Sequence, residues 1–437
     1  MKKITLSIMA VFMAVNVFSV DPTWNRVWEN SATLSTLPAY IGTASNVRGM
    51  GVGTFEGEKV VVIPTREGGN TVKLLKASDG TEWKNLSVTG ITGGTFQISD
   101  AGVTTDGKIL VGNMVNASAA VFKVYRWDNS TDAPTVAISY TLTAAHRIGD
   151  HITVKGSIAD GTAKVYALST ALVSTKATLF RFDMVSDGNG GYVFNNTPTI
   201  ITDQIAATGG YASVDIMGDG KYIYKYNGSQ ILKLNADGTN PNPAESSSSA
   251  VVATGGNSVR FLMNLPAVNI GDPDTAYVAY FRYGAGQERG NIVKFPNGLL
   301  NSSAAAVCTY LPVLGTNANG NGAGRVAIDD VTSTSVNVSV NVYVLSTNNG
   351  IGKYTITWPI IPTSTKNIHQ SIKITKTSSI LRVDDVENPT IELINSLGQT
   401  IKSISNKNEL NIEGIKGIYI VRVKANEQLV KTEKISF

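Results

Sequence analysis

From about residue 21 onward the chain is a succession of short apolar alternations broken by Gly, Asn, Asp and Ser. Stretches such as 71–76, 120–127, 135–140 and 163–168 alternate at a period of two, and 60–63 is a short, wholly apolar run. Both patterns predict β-strands, because successive side chains on a strand point to opposite faces. Asp-Gly pairs stand between such runs at Asp79-Gly80, Asp106-Gly107, Asp160-Gly161, Asp219-Gly220 and Asp237-Gly238, where they predict hairpin turns. No amphipathic run of helical period longer than about two turns follows the first 20 residues. The pattern is all-β.

The alternations also repeat. The stretch 46–55, Asn-Val-Arg-Gly-Met-Gly-Val-Gly-Thr-Phe, opens a block of strands, and equivalent openings follow. They read Val47-Arg48, Phe96-Gln97, His146-Arg147, Tyr211-Ala212, Val259-Arg260 and Gly324-Arg325. Their spacings of 49, 50, 65, 48 and 65 residues give a period near 50 with insertions, which predicts a β-propeller. Six openings predict six blades; an extra partial blade inside the two long spacings would make seven. The sixth block is one strand short, and the alternating stretch 21–31 precedes the first block without a hairpin partner. It is expected to complete the last blade.

Charge and cysteine content narrow the class. Lys and Arg exceed Asp and Glu by 37 to 33, but the large domain at 21–358 holds 24 against 25. A basic face for nucleic acid is therefore not expected. Cys308 is the single cysteine and has no partner for an intramolecular disulfide or a thiolate metal site, so a buried structural thiol is expected. The start, Met-Lys-Lys followed by a run almost wholly apolar to Val20, predicts a secretory signal peptide cut near Ser19. The expected organisation is a signal peptide at 1–19, a propeller at 20–358, a linker at 359–370 and a C-terminal module at 371–437.

That last module is poor in Gly and richer in Ile, Lys and Glu, with strands of five to seven residues. It predicts a small antiparallel β-sandwich with its own core. Its Leu397-Gly398-Gln399 turn, short Leu410-Asn411-Ile412 strand, Gly417-Ile418-Tyr419 strand and closing Lys434-Ile435 resemble the C-terminal sorting domain of the type IX secretion system. The resemblance implies a Bacteroidota source, the type IX secretion machinery as partner, and a secreted or cell-surface location, with Gly417, Ile418, Tyr419 and Lys434 carrying the signal. The large domain more loosely resembles uncharacterised exported propeller families of the same bacteria, which implies no activity.

Candidate chemistry lies at the openings. Arg48, Arg147, Arg260 and Arg325 share one register, with Gln97 fifth and His146 beside Arg147. If the first strand of each blade lines the channel, these residues ring one mouth and can bind an anion bidentately. The competing expectation is internal pairing, because Asp100, Asp150 and Asp215 stand three residues after their openings and Asp329 four after Arg325. His146 and Asp150 supply too few ligands for a metal site, and no cofactor is expected. The turn at 187–191 lacks the carboxylates of a calcium loop. Residues 78–83, Ser-Asp-Gly-Thr-Glu-Trp, resemble the Asp-box of sialidase propellers but depart from it by one residue of spacing. No nucleophile elbow, His-Glu-x-x-His or phosphate loop occurs. The expected function is binding of an extracellular glycan or protein at the arginine mouth. The alternative is a polysaccharide lyase or glycoside hydrolase that uses Tyr, His146 and Asp there.

Overall fold

The computed structural model describes residues 21–359 and 372–437, apart from 43–45, 171–175, 207–208, 240–244, 265–274, 285, 335–336, 396–398 and 426–427. The expected signal peptide at 1–19, and the expected linker past its first residue, lie outside the described residues. The chain divides into two compact units, Met1–Ile360 and Ile361–Phe437. Both are built from antiparallel strands, and the described residues contain no α-helix.

Among the described residues the larger unit holds six sheets in chain order, built mainly from sequential hairpins. The first comprises Gly51–Phe55, Glu58–Thr65, Thr71–Lys76 and Glu82–Leu86. The second comprises Phe96–Val103, Ile109–Met114, Val121–Trp127 and Thr135–Thr141. In the third, Ile152–Lys155 and Lys164–Thr170 lead to a long strand, Lys176–Ser186, on which both Tyr192–Phe194 and Thr199–Ala206 pair. This additional hairpin fills the first of the two long spacings. The fourth has three described strands, Ser213–Ile216, Tyr222–Lys225 and Leu232–Leu234. The fifth runs Gly256–Asn264, Ala276–Arg282, Arg289–Phe295 and Ala306–Tyr310.

The sixth sheet joins the two ends of this unit. Gly324–Ser333, Asn337–Ser346 and Gly350–Pro359 form a meander, and Thr23–Ser31 pairs antiparallel with Gly350–Pro359 as its fourth strand. A bulge between Arg26 and Trp28 turns the Trp28 indole toward the first sheet, where its Nε1 donates to the Ala77 carbonyl at 3.1 Å. Asn30 Nδ2 donates to the Gly80 carbonyl at 3.3 Å. Glu29 anchors the strand from inside, accepting from Ser31 Oγ at 2.5 Å and Tyr354 Oη at 2.9 Å and pairing with Arg26 Nε at 3.0 Å.

Each apolar core is shared by two successive sheets. Val60, Val62, Ile109, Val111 and Trp127 pack between the first and second. Phe122, Val124, Val165, Phe180 and Phe182 do so between the second and third. Tyr277, Ile292, Val342, Tyr354 and Trp358 fill the space between the fifth and sixth. Trp28, Tyr343, Val61 and Ile63 join the sixth back to the first. The opening strands touch in the same order, and Gly324–Ser333 of the sixth touches Gly51–Phe55 of the first.

The smaller unit has two antiparallel sheets. One pairs Lys373–Lys376, Ile380–Asp384 and Glu409–Asn411; the other pairs Thr400–Ser405, Pro389–Ile394, Ile418–Ala425 and Gln428–Ser436. Leu381, Val383, Ile391, Leu393, Leu410, Val421 and Val423 are buried between them in one core.

Candidate functional site

The polar residues at the openings act first as latches between sheets. An acceptor on one opening strand captures a backbone N–H of the next. Asp100 Oδ2 accepts from Ile152 N at 2.8 Å, Asp150 Oδ2 from Tyr211 N at 2.9 Å, and Asp215 Oδ2 from Phe261 N at 3.0 Å. Ser213 Oγ accepts from Val259 N at 3.2 Å, and Ser258 Oγ from Val326 N at 3.1 Å. Thr347 Oγ1 then donates to the Val47 carbonyl, tying the sixth sheet to the first. The first sheet approaches the second through a glycine: a Cβ on Gly49 would lie 2.0 Å from Asp100 Oδ1. These groups open the strands that meet in the interior, where an unpaired amide would be costly.

The arginines converge on this interior, but not as one ring. They sit at different depths. Arg325, fully buried, pairs with Asp100 at 2.8 Å and donates to the Ile152 carbonyl at 2.6 Å and Ser213 Oγ at 3.0 Å. Arg260, 8% exposed, donates through Nη1 to Thr153 Oγ1 at 3.0 Å and to the Val259 and Val214 carbonyls at 3.1 and 3.3 Å. Arg48 is buried and pairs with Asp150, which also takes a bidentate contact from Arg147 at 2.6 and 3.0 Å. Burial would push the Asp150 carboxyl up, but Arg48 and then Arg147 hold it down at about 2. Asp100 goes the other way: burial outweighs Arg325 and raises it. Burial, then repulsion from Arg260, brings Arg325 down to about 9.

Internal pairing therefore accounts for Arg48, Arg147 and Arg325, though mostly with acids of other sheets rather than sequence neighbours. Asp329, four residues after Arg325, pairs instead with Lys59 at 2.6 Å, and Asp215, whose own opening carries no arginine, pairs with Lys155 at 3.1 Å. Gln97 is exposed and accepts from Asn70 Nδ2 outside the arginine group. His146 turns to Ser169 Oγ at 3.3 Å and packs edge-on against Phe180, and burial lowers its pKa. His151 is fully buried and held far below the usual imidazole range, first by burial and then by Arg325. Among the described residues no cluster of three metal-ligating side chains occurs.

What the register did not reveal is the aromatic floor beside Asp150. The Arg48 guanidinium lies 4.4 Å from the ring centres of both Phe96 and Tyr211. The Arg66 guanidinium also stacks on Phe96, 3.8 Å from its ring centre, and that of Arg147 lies 5.1 Å from the ring centre of Tyr211. Arg48 Nη1 also donates to Tyr211 Oη at 3.2 Å. Burial first, and then repulsion from Arg48, lower Arg66 to about 10. Tyr211 holds φ at +59°, a left-handed conformation that costs a bulky residue energy and recurs at functional sites. Phe96 and Tyr211 were visible in the sequence as opening residues but not as partners of the arginines; Arg66, in the loop after Glu58–Thr65, carried no repeat signal.

A second feature opens from the opposite ends of the same strands. A narrow cavity of about 90 Å³ is bounded by residues of five of the six sheets, from Gly51 and Gly102 to Thr153, Arg260 and Ala327. It shares Val52, Val103, Lys155 and Ile328 with a wider recess of about 440 Å³ that reaches Thr54, Thr105 and Lys59. Arg260 thus belongs to this shaft and not to the Arg147 mouth.

The remaining sequence candidates are turn and packing residues. Asp79 and Asp237 each accept from the backbone N–H and hydroxyl of the Thr two places on, and Asp187 caps the N–H groups of Asn189 and Gly191. Cys308 is half-buried, donates to the Ile292 carbonyl at 3.4 Å, and burial pushes its thiol up to about 12. In the smaller unit Gly417 has φ +119° and starts the strand Ile418–Ala425. Ile418 is 58% exposed, Tyr419 packs its ring 5.9 Å from Phe437, and Lys434 faces Ile420 across the sheet.

Residues 7–277 match a family described as a domain of unknown function, DUF4623. The chain belongs to the DUF4623 family. A crystal structure of a DUF4623 protein from Bacteroides eggerthii DSM 20697 matches with 15% identity over 78% of this chain and 75% of that one, at a TM-score of 0.55. That likeness shows a shared fold. A subtype N11 neuraminidase-like protein of A/flat-faced bat/Peru/033/2010 (H18N11) matches at 12% identity over 77% of this chain and 94% of that one. Its TM-score is 0.44, too low to carry an argument about DUF4623 function. No curated protein matches the chain.

Proposed function

We propose that the chain is an exported, six-bladed β-propeller that binds an anionic extracellular glycan at the Arg147 mouth without transforming it. The observation that carries this reading is the packing of Arg48, Arg66 and Arg147 around Phe96 and Tyr211. Guanidiniums on aromatic faces are partly desolvated and held flat, which suits a carboxylate- or sulfate-bearing sugar ring. Arg147 is 27% exposed, so its guanidinium can still be reached from solvent. The six-blade count is supported by the order of shared cores, which returns from the sixth sheet to the first.

Binding is favoured over catalysis by the state of the nearby groups. Asp150 is locked as an anion by two guanidiniums, and His146 is turned to Ser169, so neither is poised for proton transfer. Export is supported by the basic-apolar start of the sequence, and delivery by type IX machinery by the resemblance of the C-terminal module. The test is retention of the full chain on polygalacturonate against neutral dextran, read by affinity electrophoresis. Arg147→Gln should weaken polygalacturonate binding at least tenfold and leave dextran unchanged. Equal retention on both polymers overturns the reading, and release of unsaturated or reducing products would replace it with the lyase or hydrolase alternative.

A further inference from the structure

Between the fourth and fifth sheets, Ile223, Val278, Tyr280 and Val293 share one apolar core. Where the strands Ala276–Arg282 and Arg289–Phe295 meet their connecting loop, that core gives way to a charged layer. Arg282 and Arg289 stand directly opposite each other on these two strands. Tyr280 and Asn291 are the next pair on the same face, and Tyr310 of the outermost strand stands opposite Asn291. Both arginines are half-buried. The Arg289 guanidinium lies 4.5 Å from the ring centre of Tyr310, which is 49% exposed.

Like charges directly opposite on neighbouring strands destabilise a sheet, so such a pair ordinarily has an acid beside it. Among the described residues no carboxylate pairs with Arg282 or Arg289. Arg289 Nη2 donates to the neutral Gln287 Oε1 at 2.8 Å, and its Nε is buried without a hydrogen-bond partner. Burial, then repulsion from Arg282, lowers the Arg289 pKa. The acid next to it in sequence, Glu288, turns to the sixth sheet, where it accepts from Ser346 Oγ at 2.6 Å and Asn319 Nδ2 at 3.0 Å. The facing fourth sheet brings a further cation instead of an acid. Lys225 Nζ lies 5.6 Å from the ring centre of Tyr280 and donates to the Ser229 and Ala253 carbonyls. An orphaned N–H and two uncompensated guanidiniums together point to an acceptor from outside the chain.

We propose that Arg282 and Arg289 form a binding site for a tetrahedral dianion, sulfate or phosphate, held between the two guanidiniums beside the Tyr310 ring. A dianion matches the two charges, and guanidinium forks take such oxygens bidentately. The stack on Tyr310 holds the Arg289 plane in place before the ion arrives. The site uses none of the residues of the Arg147 mouth and does not depend on the reading given for it.

Equilibrium dialysis of the full chain with radiolabelled sulfate at low ionic strength tests the proposal. Arg282→Gln and Arg289→Gln should each weaken sulfate binding by about tenfold or more, the loss of a charge-assisted contact. Arg126→Gln removes the same charge from an arginine already paired with Asp128 and should bind sulfate as the unaltered chain does. Arg282→Glu covers the case in which a neutral variant fails to fold, because it gives Arg289 an acid within the sheet. It should unfold at no lower a temperature than the unaltered chain in sulfate-free buffer, and it should bind no sulfate. Absence of sulfate binding by the unaltered chain, undiminished affinity in Arg282→Glu, or an equal loss in Arg126→Gln overturns the proposal. Displacement of the label by glycerol phosphate at a lower concentration than by inorganic phosphate identifies an ester as the ligand; the reverse order identifies the free ion.

Discussion

Asp150 accepts from three directions at once: Arg147 just before it, Arg48 of the first sheet, and the backbone N–H of Tyr211 at the start of the fourth. Removing its charge leaves two guanidiniums without their acid in a buried setting, which costs roughly 3–5 kcal/mol for a broken buried pair. Asp150→Asn should therefore lower the urea midpoint at neutral pH by a corresponding amount. The pH dependence follows from the direction of the shift. The folded carboxyl titrates at about 2, below the roughly 3.9 of an unfolded aspartate, so its contribution is complete above that higher value. It is lost as pH falls toward about 2. Wild-type stability should drop over this interval, and Asp150→Asn should lack that part of the drop; parallel profiles of the two proteins would exclude the assignment. Only half of this arrangement could be read from the chain. Arg147 and Asp150 stand three residues apart and were a visible pair, whereas Arg48 lies 102 residues away from Asp150. Arg66 could not be found at all, because it sits in a loop outside the repeat register.

At the scale of elements, the strand Thr23–Ser31 has the largest consequence for its length. Gly350–Pro359 would be an unpaired edge without it, and such edges invite pairing with other chains. The strand is held by more than its ladder. Trp28 is buried among Tyr40, Val61, Ile63 and Tyr343, and its indole bridges to the first sheet. Trp28→Ala should cost about 3–5 kcal/mol, the range for emptying an aromatic core site. The check is a chemical denaturation curve; a loss under 1 kcal/mol would mean that the indole does not join the sheets in solution. The role of this segment was legible in its alternation and in the missing strand of the sixth block. The bulge between Arg26 and Trp28, which aims the indole, was not, because a bulge depends on the partner strand's register. The third sheet's extra hairpin was likewise hidden, since a 65-residue spacing fits either a longer blade or an additional one.

For the whole molecule, two separate cores lie in two compact units, and each buries its own aliphatic set. Differential scanning calorimetry of the full chain should show two transitions. A core substitution in the smaller unit, Val421→Ala, should lower only one of them, by about 4–8 °C or more; a shared shift would make the units one cooperative body. By itself the sequence determined the all-β class, the near-50-residue repeat, the six openings and the change of texture before the C-terminal module. These are local properties: strand period, turn chemistry and composition are written in neighbouring residues. Only the tertiary structure decided that the aligned arginines descend through the interior instead of circling one mouth. It also decided that Asp100 and Asp150 serve strands of other sheets and that Arg260 ends a shaft of its own. Register along a chain fixes which face a side chain takes, but depth and partner are set by how strands from distant repeats twist and pack against one another.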